Sequence, residues 1–112
     1  MDIREKFDYE LIKKMGYTTA KIRFNFTLRS PDGDCKAAFW LENGSHSIYQ
    51  QDWTQITPSG KTFSKEVALN INDIEKYGSN LVMRFRCNQD AWWDVAKNSY
   101  RVESGTWEIW FE

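Results

Sequence analysis

The chain has 112 residues, 41% of them hydrophobic, and 15 Lys and Arg against 16 Asp and Glu leave a net charge of −1. That length suits one domain, residues 1–112, and is too short for two. Balanced charge without a long like-charge run argues against nucleic acid and anionic membranes as partners. No stretch approaches the roughly 20 apolar residues of a membrane span.

Met1 is followed at once by Asp2, Arg4, Glu5 and Lys6, so no signal peptide is visible. The start reads as that of a cytosolic protein or of a domain cut from a longer parent. Phe7, Leu11, Ile12 and Met15 then recur at helical spacing and Gly16 follows as a stop, which predicts a short amphipathic helix over 8–15. From Thr18 onward the period changes to two. Turn signals at Ser30-Pro31-Asp32-Gly33-Asp34, Glu42-Asn43-Gly44-Ser45, Pro58-Ser59-Gly60-Lys61, Tyr77-Gly78-Ser79 and Ser104-Gly105 cut the rest into short strands. The expected fold is all-β, an antiparallel β-sandwich of jelly-roll type with a short N-terminal helix.

Successive side chains of a strand point to opposite faces. Ala20, Ile22, Phe24, Phe26 and Leu28 therefore share one face, as do Cys35, Ala37, Phe39 and Leu41, then Leu81, Met83, Phe85 and Cys87, and finally Trp107, Ile109 and Phe111. Phe63 to Asn72 alternates too, with Val67, Leu69 and Ile71 on one side. These are the expected core faces. Trp40 falls on the opposite face with Lys36 and Ala38, Arg84 and Arg86 lie opposite Leu81 and Met83, and Trp110 lies between Glu108 and Glu112 on the outside.

Ser47 to Ile56 differs. Ile48 and Ile56 take the apolar phase, while Tyr49, Gln51, Trp53 and Gln55 share the other, alternating flat rings with amides. A β-bulge would invert this phase, because one extra residue turns every later side chain over. With 16% aromatic residues and six Trp, one small core has difficulty holding every ring, and exposed aromatics mark binding surfaces. Aromatic rings stack on the apolar face of a pyranose while amides, Arg and carboxylates bond its hydroxyls. The candidate ligand-binding residues are thus Trp40, Tyr49, Gln51, Trp53, Gln55, Arg84, Arg86 and Trp110, with Trp92 and Trp93 in the polar-aromatic loop 88–102. The N-terminal helix is expected to dock its Phe7/Leu11/Met15 side, and an outer face is one place for it.

Catalysis finds little support. The lone His46 sits in a turn, no paired-carboxylate motif stands out, and there is no Gly-x-Ser-x-Gly elbow, phosphate loop or His-Glu-x-x-His motif. The chain reads as a non-enzyme with no cofactor and no metal. Cys35 and Cys87 are too few for a zinc site and suit buried small hydrophobes or a strand-bridging disulfide. Asp32, Asp34 and Asp90 could help hold calcium, although Pro-Asp-Gly-Asp is ordinary turn chemistry. Two other classes remain open: a protein-interaction domain using Trp, Tyr and Arg on one face, and single-stranded nucleic-acid binding, against which the net charge and the amides argue.

Trp93 (or Trp92), Asp94, Asn98 and Tyr100-Arg101-Val102 resemble the Trp-Asp-Asn-Asn…Asn-Tyr-Arg-Val signature of starch- and glycogen-binding modules, with Val95 and Ala96 in place of the repeated Asn. A broader pattern is similar to the jelly-roll carbohydrate-binding modules appended to bacterial glycoside hydrolases. It runs through the strand Ala20 to Leu28, Trp53-Thr54-Gln55, Phe63-Ser64-Lys65-Glu66-Val67 and Leu81-Val82-Met83-Arg84-Phe85. The resemblance implies a monomeric, non-catalytic module excised from a secreted, extracellular parent, for example a cellulosome component, which it would hold on plant cell-wall polysaccharide. The ring-and-amide face from Tyr49 to Gln55 favours a neutral β-glucan or hemicellulose over an acidic pectin, which would favour Lys and Arg as first contacts.

Overall fold

Alternating apolar residues bury one side of each strand and leave the other wet, so the stable solution is two sheets face to face. The computed structural model describes residues 2–30, 35–88 and 101–112 and shows this arrangement. Its elements are β1 (Asp2–Lys6), α1 (Tyr9–Lys14), β2 (Thr19–Arg29), β3 (Cys35–Asn43), β4 (His46–Ile56), β5 (Lys61–Asn70), α2 (Ile71–Tyr77), β6 (Asn80–Asn88) and β7 (Arg101–Phe111). A four-stranded sheet runs β1-β6-β3-β4 and a three-stranded sheet runs β5-β2-β7, with every pairing antiparallel. The all-β sandwich with a short N-terminal helix is therefore the fold of this chain.

Phenylalanine fills the core. Ala20, Ile22, Phe24, Phe26 and Leu28 of β2 are buried, as are Cys35, Ala37, Phe39 and Leu41 of β3 and Leu81, Met83 and Phe85 of β6. Rings from the two sheets meet edge to face: Phe24 on Phe39 at 5.7 Å, Phe26 on Phe85 at 5.4 Å and Phe63 on Phe39 at 5.3 Å between centroids. Trp107, Ile109 and Phe111 take the core phase of β7 and pack, half-buried, against this cluster. Cys35 is buried with a free thiol. The side chain of Cys87, the turn at 31–34 with Asp32 and Asp34, and the loop 89–100 with Asp90 lie outside the described residues.

Three expectations are corrected. Asn70 ends β5, so Ile71 does not continue the strand but opens α2. Asn70 caps that helix, its Oδ1 accepting from the Asn72 N–H at 2.9 Å, and Ile71 and Ile74 bury its inner side. Ser104-Gly105 is not a turn but the interior of β7, opposite Phe26, where a Cβ on Gly105 would strike the Phe26 ring. The missing side chain there makes room for a core ring, which local turn chemistry cannot reveal. Finally, α1 does not lie over an outer sheet face. Asp8 caps it, and it buries Ile12 while the preceding Phe7 meets Phe111 at 5.9 Å. Leu11 and Met15 stay 53% and 60% exposed.

Both helices close the same end of the sandwich. The Tyr9 hydroxyl donates to Glu75 at 2.9 Å, the Ile71 N–H to the Thr18 carbonyl at 3.0 Å, and the Phe7 N–H to the Ser79 carbonyl at 2.7 Å. The bond to Glu75, with the nearby Glu75 and Glu10 charges, raises the Tyr9 pKa above its ordinary value of 10.0. This tie is thus present at neutral pH and is lost only as alkali ionises the phenol. At that end the β3–β4 hairpin is pinned to the α2–β6 turn, the buried Asn43 donating to the carbonyls of Gly78 at 2.7 Å and Asn80 at 3.1 Å. The next residue, Gly44, has φ 60°, and a Cβ there would meet the Tyr77 carbonyl oxygen. Gly44→Ala is expected to destabilise the fold by about 2–3 kcal/mol, since backbone must shift as well as adopt a strained φ. Urea unfolding followed by tryptophan fluorescence measures it.

Candidate carbohydrate-binding face

The outer face of the four-stranded sheet takes its side chains from the non-core phase of β3, β4 and β6. Strand register places them in rows. Trp40 of β3 lies between Gln50 of β4 and Arg84 of β6; Ala38 is flanked by Arg86 on β6; Lys36 is flanked by Gln55 on β4. The β3–β4 register slips between Ala37 and Phe39, where Thr54 pairs with Ala37 but Gln51 with Phe39. Asp52 and Trp53 therefore share the place opposite Ala38, which is a β-bulge. Trp53 turns onto the outer face, where its ring meets that of Trp40 edge to face at 6.3 Å and 85°. Trp53 is 48% exposed and Trp40 half-buried, while Ala38 beneath them is only 1% exposed.

Polar groups surround the two indoles. Arg84 pairs with Glu42 at 3.0 Å, two residues along β3 from Trp40. The Gln50 amide donates to the Asp52 carboxylate at 3.2 Å, and Arg86 donates to the Phe85 carbonyl at 2.7 Å. Ring faces, carboxylate acceptors and amide and guanidinium donors thus stand side by side on a scaffold of paired strands. Side chains held on paired strands are already ordered, which keeps the entropy cost of any contact they make small.

The bulge corrects the phase expected for Tyr49 and Gln51. Tyr49 and Gln51 precede it and so take the core phase of β4. Tyr49 packs on Phe24 at 5.5 Å and Phe39 at 6.1 Å. Its hydroxyl donates to Gln51 at 3.1 Å, and Gln51 in turn donates to Thr54 at 3.2 Å. The two residues close the sandwich edge beside Lys65, whose ammonium lies 5.8 Å from the Tyr49 ring. An inward-pointing charge on an edge strand also discourages pairing with another chain. Tyr49→Phe is expected to cost about 1 kcal/mol through the lost hydrogen bond; urea unfolding measures it.

Trp110 does lie outside, but on the three-stranded sheet, the opposite surface of the sandwich. Arg23 covers its ring at 5.0 Å and is itself held by Glu66 at 3.0 Å, with Glu108 at 4.0 Å. The indole N–H donates to Glu112 at 3.3 Å. That ring is engaged within its own sheet and shares no face with Trp40 and Trp53. Trp92 and Trp93 lie outside the described residues, as do Asp94, Asn98 and Tyr100 of the starch-module resemblance.

Trp40, Trp53, Gln55, Arg84 and Arg86 are thus brought together. Sequence reasoning missed Gln50, Asp52 and Glu42 as their neighbours, and only strand register could have shown them. His46 is half-buried and stacks on Tyr77 at 4.4 Å. Among the described residues no group of three His, Cys, Asp or Glu side chains is placed to hold a metal ion, and no helix is long and apolar enough to cross a membrane. Compared with protein-family models and with curated protein sequences, the chain matches none.

Proposed function

We propose that this chain is a non-catalytic carbohydrate-binding module that holds a polysaccharide on the outer face of its four-stranded sheet. The observation that carries the reading is the Trp40–Trp53 pair. One indole is half exposed on a rigid sheet, flanked by Gln50, Gln55, Asp52, Glu42, Arg84 and Arg86. An exposed indole offers a flat apolar face for stacking, and its neighbours supply donors and acceptors for hydroxyls at the ring edge.

The perpendicular arrangement of the rings bears on the form of the ligand. Two coplanar rings would make one flat platform for the face of a crystalline ribbon. Rings at 85° make a corner, which suits a single soluble chain with one sugar stacked on Trp53 and the next turned against Trp40. In this reading the module anchors a parent glycoside hydrolase to its polysaccharide outside the cell.

Affinity gel electrophoresis against xyloglucan, mixed-linkage β-glucan, glucomannan, xylan, pectin and starch tests it. Retardation by at least one of these is the expected result; migration unchanged by all of them overturns the proposal. Capture of a protein partner lost on mutating the same face would instead favour an interaction domain.

A further inference from the structure

Two sheets packed face to face leave edge strands, here β1 and β4 on one sheet and β5 and β7 on the other. An edge with unpaired N–H and C=O groups is a template for a further strand unless something spoils it. β4 carries the bulge at Asp52 and Trp53, β5 turns the charge of Lys65 inward, and β1 is only 5 residues long. β7 has none of these devices. From Gly105 to Phe111 it contains no Pro and no register slip, and its charged residue, Glu108, takes the outer phase. Its inner side chains Trp107, Ile109 and Phe111 are only half-buried, whereas Phe24, Ile22 and Ala20, their partners on β2, have no exposed surface. The same three side chains line a groove of about 360 Å³ whose apolar walls include Phe7, Leu11 and Ile12.

The backbone of β7 fixes how a further strand can join it. The Glu112 N–H donates to the Thr19 carbonyl at 3.0 Å and the Thr19 N–H to the Glu112 carbonyl at 3.1 Å, so these two residues form a bonded pair. Bonded and non-bonded pairs alternate along an antiparallel ladder. Trp110, Glu108 and Thr106 therefore bond to β2 as well, while Phe111, Ile109 and Trp107 turn their N–H and C=O groups to the free edge. We infer that a second copy of this chain pairs there, β7 antiparallel to β7, about a two-fold axis at Ile109. Ile109 bonds to Ile109 of the second copy, and Trp107 of each copy bonds to Phe111 of the other. Trp107 of the second copy then lies beside Phe111 and over the groove at Phe7, Leu11 and Ile12. An axis at Glu108 would bring Gly105 to that place and set two carboxylates face to face; an axis at Trp107 would bring Glu103 there. With the axis at Ile109, Glu108 faces Trp110 and stands only diagonally from Glu108 of the second copy, with Arg23 of its own copy at 4.0 Å. The two three-stranded sheets become one continuous sheet. Both Trp40–Trp53 faces stay free and look the same way, and the pairing does not depend on what they bind.

Sedimentation equilibrium of the full chain, from about 1 µM to about 1 mM, tests it. One strand pair and one ring make a small interface, so a dimer with a Kd on the order of 10–100 µM is expected. Ile109→Lys puts a charge at the centre of the pairing, and Leu11→Glu removes an apolar wall of the groove at a position already 53% exposed. Each is expected to raise Kd at least about tenfold. Leu11→Glu is a surface change that the fold tolerates, so it carries the test if Ile109→Lys does not fold. Cross-linking reads the register. Ile109→Cys sets two thiols on Cα atoms about 5.5 Å apart, within disulfide range. It is expected to oxidise to a covalent dimer several times faster than Thr106→Cys, which faces Glu112 of the second copy. A chain still monomeric at the top of the concentration range overturns the inference. A dimer whose Kd is unchanged in either folded variant pairs elsewhere and overturns it too. Equal cross-linking of the two thiols overturns the axis at Ile109.

Discussion

Trp53→Ala is expected to weaken polysaccharide binding by about 2 kcal/mol or more, roughly thirtyfold, with almost no change in stability. Trp53 is the described side chain in which a large ring and high exposure coincide on the face, at 48%. Aromatic anchors carry most of the affinity of such surfaces, and truncation to Ala removes both the stacking area and its exclusion of water. The ring adds little to the core, since its described ring contact is with Trp40 on the outer face. Surface substitutions away from core or capping roles usually shift stability by no more than about 0.5 kcal/mol. Isothermal titration with the best-retarded polysaccharide measures the loss, and an unchanged urea midpoint shows that the fold is intact. Trp110→Ala is the matched control. It removes an equally large ring from the opposite sheet, where Arg23 and Glu112 engage it, and it should leave affinity within error. A Trp53→Ala protein that binds as tightly as the parent would exclude the Trp40–Trp53 face as the site.

Phe39→Ala carries the largest expected cost in stability, about 3–5 kcal/mol. Phe39 has no exposed surface and sits where the two sheets meet. Its ring touches Phe24 and Phe63 from the three-stranded sheet and Tyr49 and Phe85 from its own. Truncation leaves a cavity among rigid rings on paired strands, and such walls relax only partly. Against the 5–15 kcal/mol typical of whole domains, this loss is enough to leave the variant partly unfolded at growth temperature. A urea titration at constant m-value reads the shift in midpoint. Phe63→Ala should cost less, because Phe63 is half-buried on an edge strand and its cavity opens to solvent. Equal costs for the two would show that the edge is packed as tightly as the centre.

Much of this architecture was legible in the sequence where the physics is local. The alternation along Ala20 to Leu28 and along Cys35 to Leu41 identified the inner face residue by residue, because a strand with one dry face admits a single phase. The short helix before Gly16 followed from the spacing of Phe7, Leu11, Ile12 and Met15 and from Gly16 as a stop, and the structure adds Asp8 as its cap. The second helix was also written there: Asn70 is a capping residue, and Ile71, Ile74 and Tyr77 recur at helical intervals. The strand-like run from Val67 to Ile71 masked it, since Ile71 satisfies both periods.

What the sequence by itself determined is which residues are apolar at period two, that phenylalanine dominates the dry phase, and that tryptophan falls largely outside it. Tertiary structure alone decided which of the outer rings share a surface. Trp40 and Trp53 meet because a bulge at Asp52 and Trp53 lets β4 change phase in mid-strand, and that same step turns Tyr49 and Gln51 into the sandwich edge. Trp110 is separated from them because β7 pairs with β2 rather than with β6. The first depends on register within the β3–β4 hairpin, the second on pairing between β2 and β7, which lie far apart in the chain. Alternation within one strand fixes which of its side chains share a face, but where a bulge resets that phase and which strand lies alongside are settled only when the strands pair and the two sheets pack.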